Sequence, residues 1–261
     1  MIGVASPSFC FNGFSDMARK ISEHFRMWEV LVELEHTIDV IEPEVDDVVN
    51  TYDLRVQVHA PMSDVNIGSV YERMRLSAVD DILRTAEFCR KHDISVLTVH
   101  PGFYQGIAFL DKPKVLSQTR RSLVEIGNAA AEHSVSIAVE NMPKGINATC
   151  TTAAELLGVV EGTGLGICFD MGHANTAGEV DAMLSHIDRF ANVHLHNNDG
   201  SWDQHCAIDQ GTADVSKVVP AILGGGFKGN MIIESTDLEG ALESKRVLRA
   251  LLEDAPAPHT L

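Results

Sequence analysis

The sequence has little positive charge, and this shortage disfavours several classes of partner. Its 261 residues include 20 lysines and arginines against 37 aspartates and glutamates, which gives a formal net charge of −17. A surface this acidic repels phosphate backbones over its whole extent, and no local basic patch is visible in the sequence. We therefore expect small ligands or metal-bridged anions as partners. Nucleic acid is disfavoured, although the charge alone does not exclude it.

The chain also lacks paired cysteines and long apolar runs. Cys10, Cys89, Cys150, Cys168 and Cys206 form no CxxC motif, and their odd number argues for reduced thiols in a cytosol. The sequence does not start with a charged region followed by an apolar stretch. No apolar run reaches the roughly 20 residues that a membrane span requires. We therefore expect a cytoplasmic protein that makes no membrane contact.

Strand-like segments rich in valine and isoleucine alternate with segments of helical apolar spacing. The predicted strands cover residues 2–5, 30–34, 54–59, 95–100, 136–140, 165–170, 192–196 and 231–234. The predicted helices cover residues 70–91, 113–132, 153–160, 180–189, 215–223 and 238–252, with two weaker ones at 16–25 and 45–51. Strict alternation around eight strands leaves an open doubly wound sheet or a closed barrel.

The first strand is not followed by a GxGxxG motif, and polar residues follow most strands rather than one switch point. The sequence therefore favours an α/β fold of the (β/α)8 TIM-barrel type, with one domain over residues 1–253. We expect the remaining residues, 254–261, to form a disordered tail because they contain two prolines and no apolar period.

Metal-liganding side chains stand where the predicted strands end. Those at strand ends are His59, His100, Glu140, Asp170, His196 and Glu234, and those on the following loops are His173, Asp203 and His205. Since the C-terminal ends of barrel strands converge, these side chains should meet although they are far apart in sequence. Nine candidate ligands are too many for one tetrahedral or octahedral ion and suit two or three.

Local spacing adds detail to this set. The DxxH spacing of Asp170 and His173 lets a strand end and the following loop present two ligands together. The DxH spacing of Asp203 and His205 places both groups on one side of an extended segment. His194 shares a strand face with His196 but lies deeper, so we interpret it as a core or supporting histidine rather than a ligand.

The motifs HAP, HPG, EN, FDxGH, HLHxND, DxH and IIE occur in this order between about Val58 and Ser235. This series resembles the xylose isomerase-like barrels, which include endonuclease IV of the AP endonuclease family 2. In endonuclease IV these motifs hold three zinc ions. The resemblance implies three sets of ligands: His59 and His100 with Glu140 bridging to a second ion; Asp170, His196 and Glu234 completing that second ion; and His173, Asp203 and His205 around a third.

Sugar isomerases and epimerases of the same superfamily require only the central set, which maps to Glu140, Asp170, His196 and Glu234. Endonuclease IV places a duplex-penetrating aromatic three residues after its first metal histidine, where this chain has Met62. The region after the second strand also lacks a basic loop that could probe DNA. Both departures disfavour a DNA substrate and leave the metal ligands unaffected.

Three functions follow from these residues. The favoured one is a metal-dependent sugar or sugar-phosphate isomerase or epimerase that works through an enediolate, with Glu140 and Glu234 as its catalytic carboxylates. The alternative is an endonuclease IV-like phosphodiesterase in which Glu140 bridges two zinc ions. A binding barrel without catalysis is disfavoured because it has little need for so many ionisable groups. The expected cofactor is a divalent metal, zinc or manganese, with one to three ions; substrate and oligomeric state stay open.

Overall fold

Eight parallel strands close into one barrel in the computed structural model, which describes residues 1–131 and 134–253. The strands are β1 Ile2–Ala5, β2 Met27–Leu31, β3 Arg55–His59, β4 Val96–Val99, β5 Ser136–Glu140, β6 Gly166–Asp170, β7 Phe190–Leu195 and β8 Met231–Glu234. Each strand pairs with the next, and β8 pairs with β1, where Ala5 lies opposite Glu234. The predicted single-domain (β/α)8 TIM barrel is confirmed, and all C-terminal strand ends open on one face. The tail predicted at 254–261 lies outside the described residues.

The helices surround this barrel. They are α1 Phe14–Ser22, α2 Ile38–Ile41, α3 Val45–Tyr52, α4 Glu72–Lys91, α5 Lys112–Ala130, α6 Ala153–Val160, α7 Met171–Ala177, α8 Val180–Leu184, α9 Val215–Gly224 and α10 Leu238–Glu253. The predicted helix at 153–160 has the same bounds in the structure, whereas the one at 180–189 ends at Leu184 and is followed by a 3-10 turn at Ile187–Arg189. Within the described residues, none of the helices combines the length and apolar character required to cross a membrane.

The second strand lies three residues earlier than the sequence predicts, at Met27–Leu31 instead of 30–34. All five of its residues are buried, including Glu29. The predicted start at residue 30 is wrong, because the buried strand already begins at Met27. Glu29 faces other buried polar side chains, whose hydrogen bonds compensate part of the cost of burying its charge.

The barrel therefore contains a polar layer as well as an apolar one. Glu29, Gln57, Thr98, Asn192 and His194 come from four different strands, and none is more than 1% exposed. Hydrogen bonds connect them, for example from Asn192 Nδ2 to Thr98 Oγ1 at 3.0 Å. Since most TIM barrels fill this space with bulky apolar side chains, such a layer indicates that the barrel interior supports a polar site above it.

Candidate metal centre

The nine predicted ligands and His194 gather at the C-terminal end of the barrel in three adjacent groups. Within each group, one ligand atom per residue lies within 4.8 Å of all the others. The outer group is His59, His100 and Glu140; the central group is Glu140, Asp170, His194 and Glu234; the loop group is His173, His196, Asp203 and His205. The structure thus brings together every side chain that the sequence analysis selected.

Glu140 belongs to two of these groups. Its Oε2 atom lies 3.3 Å from His59 Nε2 and 3.2 Å from His100 Nε2, while its Oε1 atom lies 3.3 Å from His194 Nδ1. Burial acts to raise the pKa of Glu140, but the neighbouring histidines, His194 foremost, hold that pKa well below its ordinary value. The carboxylate is therefore ionised and faces the outer group with one oxygen and the central group with the other.

The central group contains one histidine, and it is not the histidine that the sequence analysis expected there. His194 pairs with Asp170 across the β6–β7 ladder, so it stands level with the end of β6. Its Nδ1 atom lies 3.2 Å from Glu234 Oε1 and 3.3 Å from Glu140 Oε1. His196 lies just beyond the end of β7, with Nε2 3.1 Å from Asp170 Oδ1 and 3.5 Å from Asp203 Oδ1. Sequence reasoning placed His194 too deep because the register between β6 and β7 is a non-local property.

The FDMGH segment builds two sides of the site through local structure. Asp170 is the N-cap of α7, and its Oδ1 atom accepts a hydrogen bond from the His173 backbone N–H at 2.6 Å. His173 consequently lies in the first turn of a helix, whereas the sequence analysis placed it on a loop. A Cβ atom on Gly172 would lie 2.0 Å from His196 Cε1. Glycine at this position therefore leaves the space that the His196 ring occupies.

Backbone carbonyls fix the orientation of two histidine rings. His59 Nδ1 lies 2.8 Å from the Ala60 carbonyl, and His173 Nδ1 lies 2.9 Å from the Asn141 carbonyl. Because a carbonyl only accepts, each Nδ1 carries a hydrogen and each Nε2 is directed into the site. His59 Nε2 then faces Glu140, and His173 Nε2 lies 3.2 Å from Asp203 Oδ2. This is the arrangement that metal-ligating histidines usually show.

The segment that carries Asp203 and His205 is held by two asparagines. Asn197 donates to the carbonyls of Ile208 and Ala213, and Asn198 donates to the Gly172 carbonyl at 2.8 Å. His205 has a φ of 50°, so this segment is not extended as the DxH spacing suggested. The turned backbone nevertheless brings His205 Nε2 to 3.0 Å from Asp203 Oδ2.

The donor set fits divalent ions. Several buried ligand atoms have no hydrogen-bond partner, although buried polar atoms are seldom left unpaired. They are Asp170 Oδ2, His196 Nδ1, His196 Nε2, Asp203 Oδ1 and His205 Nδ1. Imidazole nitrogens and carboxylate oxygens are ligands that suit zinc and manganese. These atoms lie close to one another and form no hydrogen bonds, so they are suited to bind a common cation.

The mouth around these groups is poor in positive charge. The segments that follow the strands are 6–13, 32–37, 60–71, 100–111, 141–152, 171–179, 196–214 and 235–237. All of them belong to the described residues, and Lys144 is the one lysine or arginine that they contain. Met62, in the third segment, packs against Ala5, Met27, Leu31 and Ile232 at the end of the barrel.

The fold and the site define a TIM barrel whose mouth is lined with metal-ligand side chains. The family model described as xylose isomerase-like TIM barrel matches residues 20–251, so the chain belongs to that family. This confirms the resemblance that the motifs predicted.

The proteins similar to this chain include a probable endonuclease and an epimerase-like protein. The chain is 31% identical over 260 residues to the uncharacterized protein MJ1311 of Methanocaldococcus jannaschii, covering 96% of this chain and 89% of that protein. It is 27% identical over 215 residues to a probable endonuclease 4 of Mycobacterium leprae, covering 78% and 81%. A solved D-tagatose 3-epimerase-like protein superposes with a TM-score of 0.87 at 30% identity, covering 97% of each chain.

Proposed function

We propose that the protein is a divalent-metal-dependent isomerase or epimerase of small sugars or sugar phosphates. The observation that carries this proposal is the central group, in which the carboxylates of Glu140 on β5 and Glu234 on β8 flank Asp170 and His194. The similarity to the D-tagatose 3-epimerase-like protein supports it, because that likeness covers 97% of this chain.

The two glutamates would carry the proton transfers. A divalent ion held by the central group would polarise the sugar carbonyl and stabilise the negative charge that develops on its oxygen. One glutamate removes the proton from the carbon next to the carbonyl, and the electron pair of that C–H bond moves toward oxygen to give an enediolate. The other glutamate returns a proton: delivery to the opposite face of the same carbon inverts its configuration, whereas delivery to the former carbonyl carbon, with a proton moving between the two oxygens, moves the carbonyl.

The charge of the site links the number of ions to the class of substrate. Glu140, Asp170, Asp203 and Glu234 supply the carboxylates of the three groups. Two divalent ions balance four carboxylates, so a site with one ion stays anionic and a site with three becomes cationic. With Lys144 as the one lysine or arginine in the described strand-to-helix segments, a one-ion site would favour a neutral sugar over a phosphate.

Phosphodiester hydrolysis is the second candidate, and the outer and loop groups favour it. They place six further candidate ligands beside the central group, as a three-ion site requires. In that function Glu140 would be a bridging ligand and not a base. Duplex DNA is disfavoured as the substrate, because Met62 is packed against apolar residues and the mouth of the barrel carries little positive charge.

The test is a product analysis with protein loaded with manganese or zinc. The protein is incubated with a panel of free ketoses and ketose phosphates and, separately, with a duplex that contains one abasic site. We expect a new sugar isomer or epimer and intact DNA. Strand incision at catalytic protein concentration, with every sugar unchanged, would replace this proposal with the second candidate.

A further inference from the structure

A buried carboxylate, Glu29, lies directly beneath the central group and has no part in the chemistry proposed above. Glu29 stands in the middle of β2 and is 0% exposed. We propose that Glu29 is a positioning residue: it keeps the hydrogen of His194 on Nε2, so that the lone pair of Nδ1 points into the central group. This inference rests on the proposed function only in that His194 serves a divalent ion.

The two nitrogens of His194 face different surroundings. Nε2 lies 2.9 Å from Glu29 Oε1. Nδ1 is turned the other way, toward Glu234 Oε1, Glu140 Oε1 and Asp170 Oδ2 at 3.2, 3.3 and 3.8 Å. A carboxylate oxygen at hydrogen-bond distance requires a hydrogen on Nε2. Nδ1 also lies at hydrogen-bond distance from Glu234 and Glu140, so it can carry a second hydrogen in the metal-free protein; a divalent ion among the site carboxylates would replace that hydrogen and use the Nδ1 lone pair.

Two amides fix the orientation of Glu29 itself. Gln57 Oε1 accepts from Asn230 Nδ2 at 2.7 Å, so the NH2 group of Gln57 faces Glu29 Oε2 and donates to it. Asn192 Nδ2 also donates to Glu29 Oε2, at 2.9 Å, and uses its other hydrogen for Thr98 Oγ1. Asn192 Nδ2 is 3.1 Å from His194 Nε2, but both of its hydrogens are already used. It therefore does not compete with Glu29 for the ring.

Three donors thus converge on the two oxygens of Glu29: Gln57, Asn192 and the imidazole N–H of His194. A carboxylate accepts all three, because it carries no hydrogen of its own when ionised. An amide of the same shape cannot, since its NH2 group would oppose a donor in either orientation. If Glu29 only filled space, the amide would serve equally well, and this difference makes the proposal testable.

The test compares Glu29→Gln with Ser122→Ala on α5, which removes buried hydrogen bonds to Ile67 and Arg75 and has no contact with the network around Glu29. Zinc and manganese affinities are measured by chelator competition, and the thermal midpoint of the metal-free protein is measured alongside. We expect Glu29→Gln to weaken the tightest ion by about 10- to 100-fold. Ser122→Ala should lower the thermal midpoint with less than about a threefold effect on affinity. Wild-type affinity in Glu29→Gln, or equal weakening in both variants, would overturn the proposal.

A second measurement needs no variant of Glu29 to fold. Nitrogen-15 spectra of histidine-labelled protein report which ring nitrogen carries hydrogen, and a His194→Asn variant assigns the signals of that ring. We expect His194 Nε2 to be protonated in the metal-free and the zinc-loaded protein, with the Nδ1 signal moving on zinc addition. A bare Nε2 in either sample refutes the role of Glu29. Because neither measurement uses a sugar, a failure of the proposed isomerase activity leaves both results interpretable.

Discussion

His194 Nδ1 and Glu140 Oε1 lie 3.3 Å apart at the base of the barrel mouth, and both residues are buried. This contact places a histidine of β7 beside the carboxylate that the outer and central groups share. It makes His194, and not His196, the histidine of the central group. Replacing His194 should therefore affect a different ligand group from replacing His196.

Alanine substitution should separate these histidines. His194→Ala removes a candidate ligand from the central group, so we expect the tightest ion to be lost or weakened by at least tenfold. His196→Ala changes the loop group and should leave that ion in place. Elemental analysis after dialysis, with chelator competition, measures both effects. Loss of the tightest ion in His196→Ala but not in His194→Ala would show that the grouping is incorrect.

Glutamine substitutions of the two glutamates distinguish the candidate mechanisms. In an isomerase, Glu234→Gln and Glu140→Gln each remove a proton-transfer group, so turnover should fall by at least 100-fold even when excess divalent metal keeps the central group occupied. In a hydrolase, Glu140→Gln removes a shared anion and should release metal before chemistry is affected. Turnover and metal content are measured on the same samples. Unchanged sugar turnover in both variants would eliminate the proton-transfer roles.

Gly172→Ala tests the fit between α7 and the His196 ring. The added Cβ would lie 2.0 Å from His196 Cε1, so we expect a loss of about 1–3 kcal/mol in stability and weaker metal binding by the loop group. Gly158→Ala in α6 is the matched control. Nothing lies within 4 Å of a Cβ there, so that change should stabilise the helix by about 0.5–1 kcal/mol. Denaturant midpoints check both changes, and equal effects would contradict this packing.

Acid should destabilise the fold through His36, which belongs to none of the three ligand groups. Its ring is fully buried against Phe14 and Trp28, and neither ring nitrogen has a hydrogen-bond partner. Burial lowers the pKa of His36 from 6.5 to about 4. The unfolded chain therefore takes up a proton first as the pH falls below about 6.5, and stability decreases until the pH reaches about 4.

The expected loss through His36 is about 2 kcal/mol between pH 7 and pH 5. His36→Leu removes the titrating group, so the unfolding free energy of this variant should fall less over the same range. Urea titrations of metal-free protein at both pH values measure the difference. Since all other groups titrate in both proteins, parallel pH dependence of the two would contradict the prediction.

The fold and the ligand set could be predicted because their signals are local. Six of the eight apolar runs end in metal-ligand side chains, and a closed barrel brings those ends together. The role of His194 depends on its register with Asp170, and the polar layer around Glu29 depends on four strands that are distant in sequence. The start of α7 was missed because its N-cap, Asp170, was interpreted only as a ligand. Metal content and substrate could not be predicted, because the same nine side chains suit both a one-ion isomerase site and a three-ion hydrolase site.

The most direct test of the central claim is solvent-deuterium incorporation into ketoses by metal-loaded wild-type protein. Proton abstraction by Glu140 or Glu234 exposes the substrate carbon to exchange with solvent, whereas phosphodiester hydrolysis does not. We predict deuterium at the carbon next to the carbonyl in at least one ketose or ketose phosphate, lost in both glutamine variants even when excess divalent metal keeps the central group occupied. Absence of deuterium across a broad panel, together with metal release from Glu140→Gln, would contradict the isomerase account.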